Sequence, residues 1–132
     1  MSTPSGASLL AMLPFAVTCG IEIAEAGPDR VTGQMAWRQD LCTAGGILHG
    51  GSLMTLADSL GAVCAFLNLP GGAGTSTIES KTNFLRGVTA GVVTGTAKPV
   101  HVGRRTIVVQ TELRDDAGKL VALTTQTQAV LT

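Results

Sequence analysis

Residues Gly45 to Leu69, "GGILHGGSLMTLADSLGAVCAFLNL", decide how this chain folds. Leu53, Leu56, Ala57, Leu60, Val63, Cys64 and Leu67 recur at the spacing of one helix face. The pattern stops at Asn68, Pro70 and the glycines that follow, which cannot extend a helix. A surface helix ordinarily carries Lys and Glu on its other face. This one carries Met54, Thr55, Asp58, Gly61, Ala62 and Ala65, a face suited to close approach by a second helix or a ligand. Gly61 weakens a helix by about 1 kcal/mol, a sacrifice that makes sense where something nears the backbone. Asp58 is the only charged residue in the stretch. Either it reaches a backbone N–H or an arginine from a strand, or it is a functional carboxylate whose dry setting raises its pKa.

Working outward, 132 residues suffice for one domain with one core. A hydrophobic share of 45% against 14% charged is apolar for an isolated small sphere, so part of the surface is expected to be covered by another copy of the chain. The formal net charge is +0 and aromatics are 3%, which leaves neither a basic field nor stacking platforms for nucleic acid. The longest apolar run, Gly61 to Leu67, is far short of the roughly 20 residues of a membrane span, and no basic leader opens the chain. Cys19, Cys42 and Cys64 have no motif spacing and read as free thiols of a cytoplasmic protein.

Ahead of the helix, "ASLLAML" reads as a short N-terminal helix, about residues 7–13, stopped by Pro14. "FAVTCGIEIAEAG" and "RVTGQMAWRQ" read as two strands. Behind it come "TSTIESKTNFLR", "AGVVTGTAKPVH", "RTIVVQTELRD" and "KLVALTTQTQAVL", with "DDAG" as a hairpin turn between the last two. One long helix among about six strands gives an α+β fold, a single domain over 1–132 in which an antiparallel sheet curls around the helix.

The helix start supplies the second half of a site. At Gly50 and Gly51, backbone N–H groups lack partners and the helix dipole favours negative charge, so a carbonyl oxygen gaining charge could be held there. Gly50 and Asp58 are eight residues apart, about 12 Å along a helix. Groups acting on one carbonyl must lie within about 3–3.5 Å of it. If both serve one reaction they therefore come from two chains, and the spacing argues for an obligate dimer.

"GGILHGGSLMTLADSLG" followed by "ESKTNFLRGVTAGVVTGTAKPVHVGRRTIVVQTELRDDAGKLVA" resembles the hotdog-fold acyl-CoA thioesterases, in the branch of the phenylacetate-pathway and 4-hydroxybenzoyl-CoA enzymes. The resemblance implies a hotdog fold, pairing of two chains and often a dimer of dimers, and hydrolysis of an acyl-CoA, aromatic by analogy, without metal or cofactor. It makes Asp58 the acid, as nucleophile or general base. It gives the carbonyl-polarising N–H to Gly50 of the partner chain and a turn-fixing role to His49. Thr43 stands where relatives have Asn or Gln, and Thr77 near a Ser or Thr that assists water. Gly51 and Met54 fall on the substrate path, and Arg86, Arg104 and Arg105 in the segments that meet the CoA nucleotide. A non-catalytic acyl-CoA sensor would keep the pocket without needing the carboxylate. A hotdog dehydratase would want His and acid side by side, which the spacing of His49 and Asp58 does not give.

Overall fold

The computed structural model describes residues 4–132. The element order is α1 (Gly6–Leu10), α2 (Pro14–Thr18), β1 (Glu22–Ala26), β2 (Val31–Ala36), α3 (Gly50–Phe66), β3 (Gly74–Phe84), β4 (Val92–Val102), β5 (Thr106–Arg114) and β6 (Leu120–Leu131). The strands form one antiparallel sheet in the order β1-β2-β4-β5-β6-β3, and α3 touches all six of them. The chain therefore leaves β2, crosses the sheet as α3 and joins the far edge as β3.

The helix can sit this close because two glycines face it. Gly33 of β2 and Gly95 of β4 are register partners, and Leu60 lies on the pair. A Cβ on Gly33 would come within 2.7 Å of Leu60 Cδ2, and one on Gly95 within 2.6 Å of Cδ1. Around this contact Leu56, Val93, Ile107, Val109, Leu113 and Met35 are fully buried. Leu60→Ala is expected to destabilise the fold by about 3 kcal/mol, because the glycines have no side chains with which to fill the space. Denaturant titration measures it, and a loss under about 1 kcal/mol would mean that the helix settles onto the sheet.

Two sequence readings change at the N-terminus. Pro14 does not end a helix over 7–13; it opens α2, at the first helical position, where its missing N–H costs nothing. Phe15 to Thr18 are accordingly helical, and β1 begins only at Glu22. The "DDAG" turn forms as read: Asp115 Oδ1 accepts from the N–H groups of Ala117 and Lys119, and Gly118 takes φ +79. Cys19, Cys42 and Cys64 are free thiols.

The two sheet edges differ. β1 is short, bulged, and covered by α1, whose Gly6 packs on Ile23. β3 runs for 11 residues with only Thr75 and Thr82 half-buried, and Ile78 and Phe84 are exposed on it. Its outer backbone edge pairs with nothing among the described residues. A long uncovered edge of this kind is a template for a further strand.

Candidate active site

The loop before α3 is held from several sides. Trp37 Nε1 donates to Gly46 O at 2.9 Å, His49 N to Leu41 O at 2.9 Å, and Leu48 N to Val88 O at 2.9 Å. His49 thereby lands at the N-cap of α3, where its Nδ1 accepts from Gly51 N–H at 2.8 Å. Since Nδ1 is an acceptor, the ring proton of neutral His49 sits on Nε2. His49 O accepts from Ser52 and Leu53. Of the four N–H groups that a helix start leaves over, three are thus taken. The fourth, Gly50 N–H, has no acceptor among the described residues. Gly51 is needed for the cap itself, because a Cβ there would lie 2.9 Å from Nδ1.

Two turns further on, Asp58 lies in a groove with Met54, Thr55, Thr77 and Ser80. Thr77 and Ser80 are three apart on β3 and would normally face opposite ways; the bulge between Thr77 and Glu79 sets both toward the groove. No ion pair reaches Asp58: the described pairs are Arg30–Glu25, Arg38–Asp40 and Arg114–Glu112. Its one side-chain partner among the described residues is Gln126, whose Nε2 donates to Asp58 Oδ1 at 3.2 Å. Loss of water around the carboxyl raises its pKa above the ordinary aspartate value, and the Gln126 hydrogen bond opposes part of that rise. In the single chain the residue is still exposed on one side.

The opposite face of α3 is less open than the sequence suggests. Gly61 and Ala65 are buried, and what nears the backbone at Gly61 is Gln126, whose Oε1 occupies the place a Cβ would take. Leu53 is core and does not reach the groove. Phe66 instead lines a neighbouring apolar cavity with Leu9, Leu13, Val63 and Thr77.

Other positions named from the sequence lie apart. Thr43 is exposed in the loop, its N–H donating to Ile47 O, and it is not among the groove residues. Arg86 follows the end of β3, whereas Arg104 and Arg105 form the β4–β5 turn beside the strand's start. The strand between them is about 33 Å long, so one chain cannot bring all three to one nucleotide.

Nothing in the sequence singles out Gln126 and Gln128. In "TTQTQ" both strand faces are polar, so alternation does not show which residues turn inward. The structure turns Thr124, Gln126 and Gln128 in, all essentially fully buried.

An antiparallel sheet laid on one long central helix is the architecture of a hotdog-fold thioester hydrolase. Residues 45–122 match the thioesterase superfamily, and the chain belongs to that family. It is similar to the 1,4-dihydroxy-2-naphthoyl-CoA hydrolase of Escherichia coli, with 37% identity over 86 residues, 65% of this chain and 63% of that one. Among solved structures, a thioesterase from Haemophilus influenzae superposes with TM-score 0.92 at 29% identity, covering 99% of this chain and 93% of the other. A Ralstonia eutropha protein described as phenylacetic acid degradation-related gives TM-score 0.83 at 30% identity, over 89% and 90% of the two chains. Among the described residues no helix is long and apolar enough to cross a membrane.

Proposed function

We propose that this chain is an acyl-CoA thioesterase whose sites are shared between two copies, Gly50 N–H of one copy polarising the thioester carbonyl and Asp58 of the other acting on it. The observation that carries this is the solitary open N–H at Gly50, set about 12 Å along one rigid helix from the carboxylate. Neither can meet the other's target within a chain. Antiparallel pairing through the uncovered β3 edge would bring them together and bury Ile78. It would also set Arg86 of one copy near Arg104 and Arg105 of its partner, the arrangement a CoA phosphate needs. A tetramer would be two such dimers.

In the reaction, the carbonyl oxygen gains charge against Gly50 N–H while water adds to the carbonyl carbon and Asp58 takes its proton. The C–S bond then breaks, and the CoA thiolate leaves to take up a proton. Direct attack by Asp58 gives an anhydride that water opens to the same products. Thr77 Oγ1 accepts from Gln128 Nε2 at 2.7 Å, which leaves its O–H able to hold the water. His49, occupied by Gly51, fixes the turn. Nothing in the sequence of steps calls for a metal or cofactor.

For the acyl group we favour an aromatic one. The cavity beyond Thr77 is lined mainly by apolar side chains, and the names of two of the three relatives above refer to aromatic acids. Comparing phenylacetyl-CoA, benzoyl-CoA and hexanoyl-CoA by release of free thiol tests both statements. The aromatic thioesters are expected to lead in kcat/KM by about tenfold or more. A lead for hexanoyl-CoA rejects the aromatic assignment; no thiol from any of the three rejects hydrolysis of this substrate class.

A further inference from the structure

We infer that Gln126 and Gln128, neighbouring inward-facing residues of β6, are positioning residues that hold the two reacting side chains of the site, Gln126 setting Asp58 and Gln128 setting Thr77. The inference rests on the thioesterase reading for its catalytic consequence, though not for its geometry.

A fully buried glutamine on a strand is costly unless its amide is engaged. Both of these are fully buried, and each aims Nε2 at one groove residue: Gln126 at Asp58 Oδ1, 3.2 Å away, and Gln128 at Thr77 Oγ1, 2.7 Å away. Gln128 is partly satisfied at its other end too, with Oε1 3.1 Å from Thr75 Oγ1, whose one proton it shares with Ala129 O at 2.8 Å. Gln126 is not. Its Oε1 has no partner among the described residues and rests against Gly61. A core that tolerates an orphaned carbonyl there has the amide for its N–H end. Flipping the amide would turn oxygen toward an ionised carboxylate, which fixes the orientation while Asp58 is charged. Gly61 belongs to the same device, since any Cβ at that position would push Gln126 away from Asp58.

No other described group competes for control of Asp58. The arm before β1 presents Leu13 and Phe15, β3 presents Thr77 and Ser80, and α3 itself presents Met54 and Thr55. None of these is charged. The donor from β6 therefore favours the ionised carboxylate and offsets part of the rise that loss of water causes.

The test pairs a spectroscopic titration with kinetics. In protein labelled with carboxyl-13C aspartate, the Asp58 signal, assigned by its loss in Asp58→Asn, is followed against pH in wild type and Gln126→Met. Methionine keeps the length and removes the amide. The midpoint is expected to rise by about one pH unit. With benzoyl-CoA, the acid limb of kcat/KM moves up by the same interval, so the value below the limb falls about tenfold while KM stays within about twofold. Gly61→Ala, which displaces Gln126 without deleting it, shifts the limb in the same direction. Gln128→Met lowers kcat and leaves the limb in place, because Thr77 does not titrate in that range. Thr111→Val, equally buried on β5 beside Thr124 but not lining the groove and making no hydrogen bond to Gln126 or Asp58, changes neither. An unmoved Asp58 midpoint in folded Gln126→Met overturns the inference. Should that variant not fold, the wild-type protein decides: the Gln126 side-chain N–H signals must follow the Asp58 titration with the same midpoint, and signals flat through it overturn the inference. If wild type does not cleave benzoyl-CoA, the carboxyl titration still judges Gln126, and only its catalytic consequence fails.

Discussion

Asp58→Asn is expected to lower kcat by about 10²-fold or more, with KM little changed. The substitution is close to isosteric, and the asparagine Oδ1 can still accept from Gln126 Nε2, so the groove keeps its shape while losing the basic or nucleophilic oxygen. Stability separates this from damage. The folded chain holds the Asp58 proton more tightly than the unfolded chain, because burial raises the carboxyl pKa. That group therefore costs stability above its raised value and nothing below the ordinary one. Removing it should leave the protein as stable as wild type at low pH and no less stable at neutral pH. The same direction predicts the acid limb of wild-type kcat/KM, which should lie above the ordinary aspartate range and vanish in the variant's residual activity. A single turnover of wild type in 18O-labelled water that leaves label in Asp58 then establishes the covalent route, since label enters Asp58 only by way of an anhydride. Near-wild-type turnover in the variant would sink the assignment.

Gly50→Pro should be as damaging, by about 10²-fold in kcat, for a different reason. Gly50 is the first residue of α3, where proline is at home, and His49 before it already has the extended backbone that proline demands (φ −61, ψ 137). The substitution removes the open N–H and little else. The added ring meets the Phe84 ring tip, 3.1 Å from the Cβ position, and Phe84 is exposed and can swing aside. Mixing decides whether the site is shared. Gly50→Pro and Asp58→Asn chains, each inactive alone, are denatured and refolded together. Half of the random dimers then carry one intact site of two, and activity returns to roughly a quarter of wild type. No recovery, with mixed dimers confirmed by mass, would place both groups' work within one chain.

How much of this was open to the sequence depends on which force sets each feature. Helix α3 was legible because leucine spacing and the Pro70–Gly71–Gly72 stop are local signals, and β4 to β6 because their runs are long and their turn residues strong. The lone charge of Asp58 and the Gly50–Gly51 pair were visible for the same reason. Phe15 to Thr18 look like strand in the sequence and fold as helix, because four residues carry no period and Pro14 opens a helix as readily as it ends one. Gly61 reads as a place of close approach by a second helix or a ligand, yet its neighbour is Gln126, 65 positions along the chain, a contact made by the curl of the sheet. The two inward glutamines were hidden for that reason too. The distance between Arg86 and the Arg104–Arg105 turn follows from strand order, which places β3 at the edge opposite to β1.

Leu60 bolted onto Gly33 and Gly95 seats α3 at one place on the sheet, so the positions of Gly50 and Asp58 against it are a fixed gauge. Accommodating bulkier or slimmer thioesters then falls to the segment ahead of β1. Met12 and Phe15 stand largely in solvent there and border the groove or its neighbouring cavity. They can be exchanged without disturbing the gauge, which makes that arm the part of the molecule where a new substrate range could arise with the chemistry left untouched.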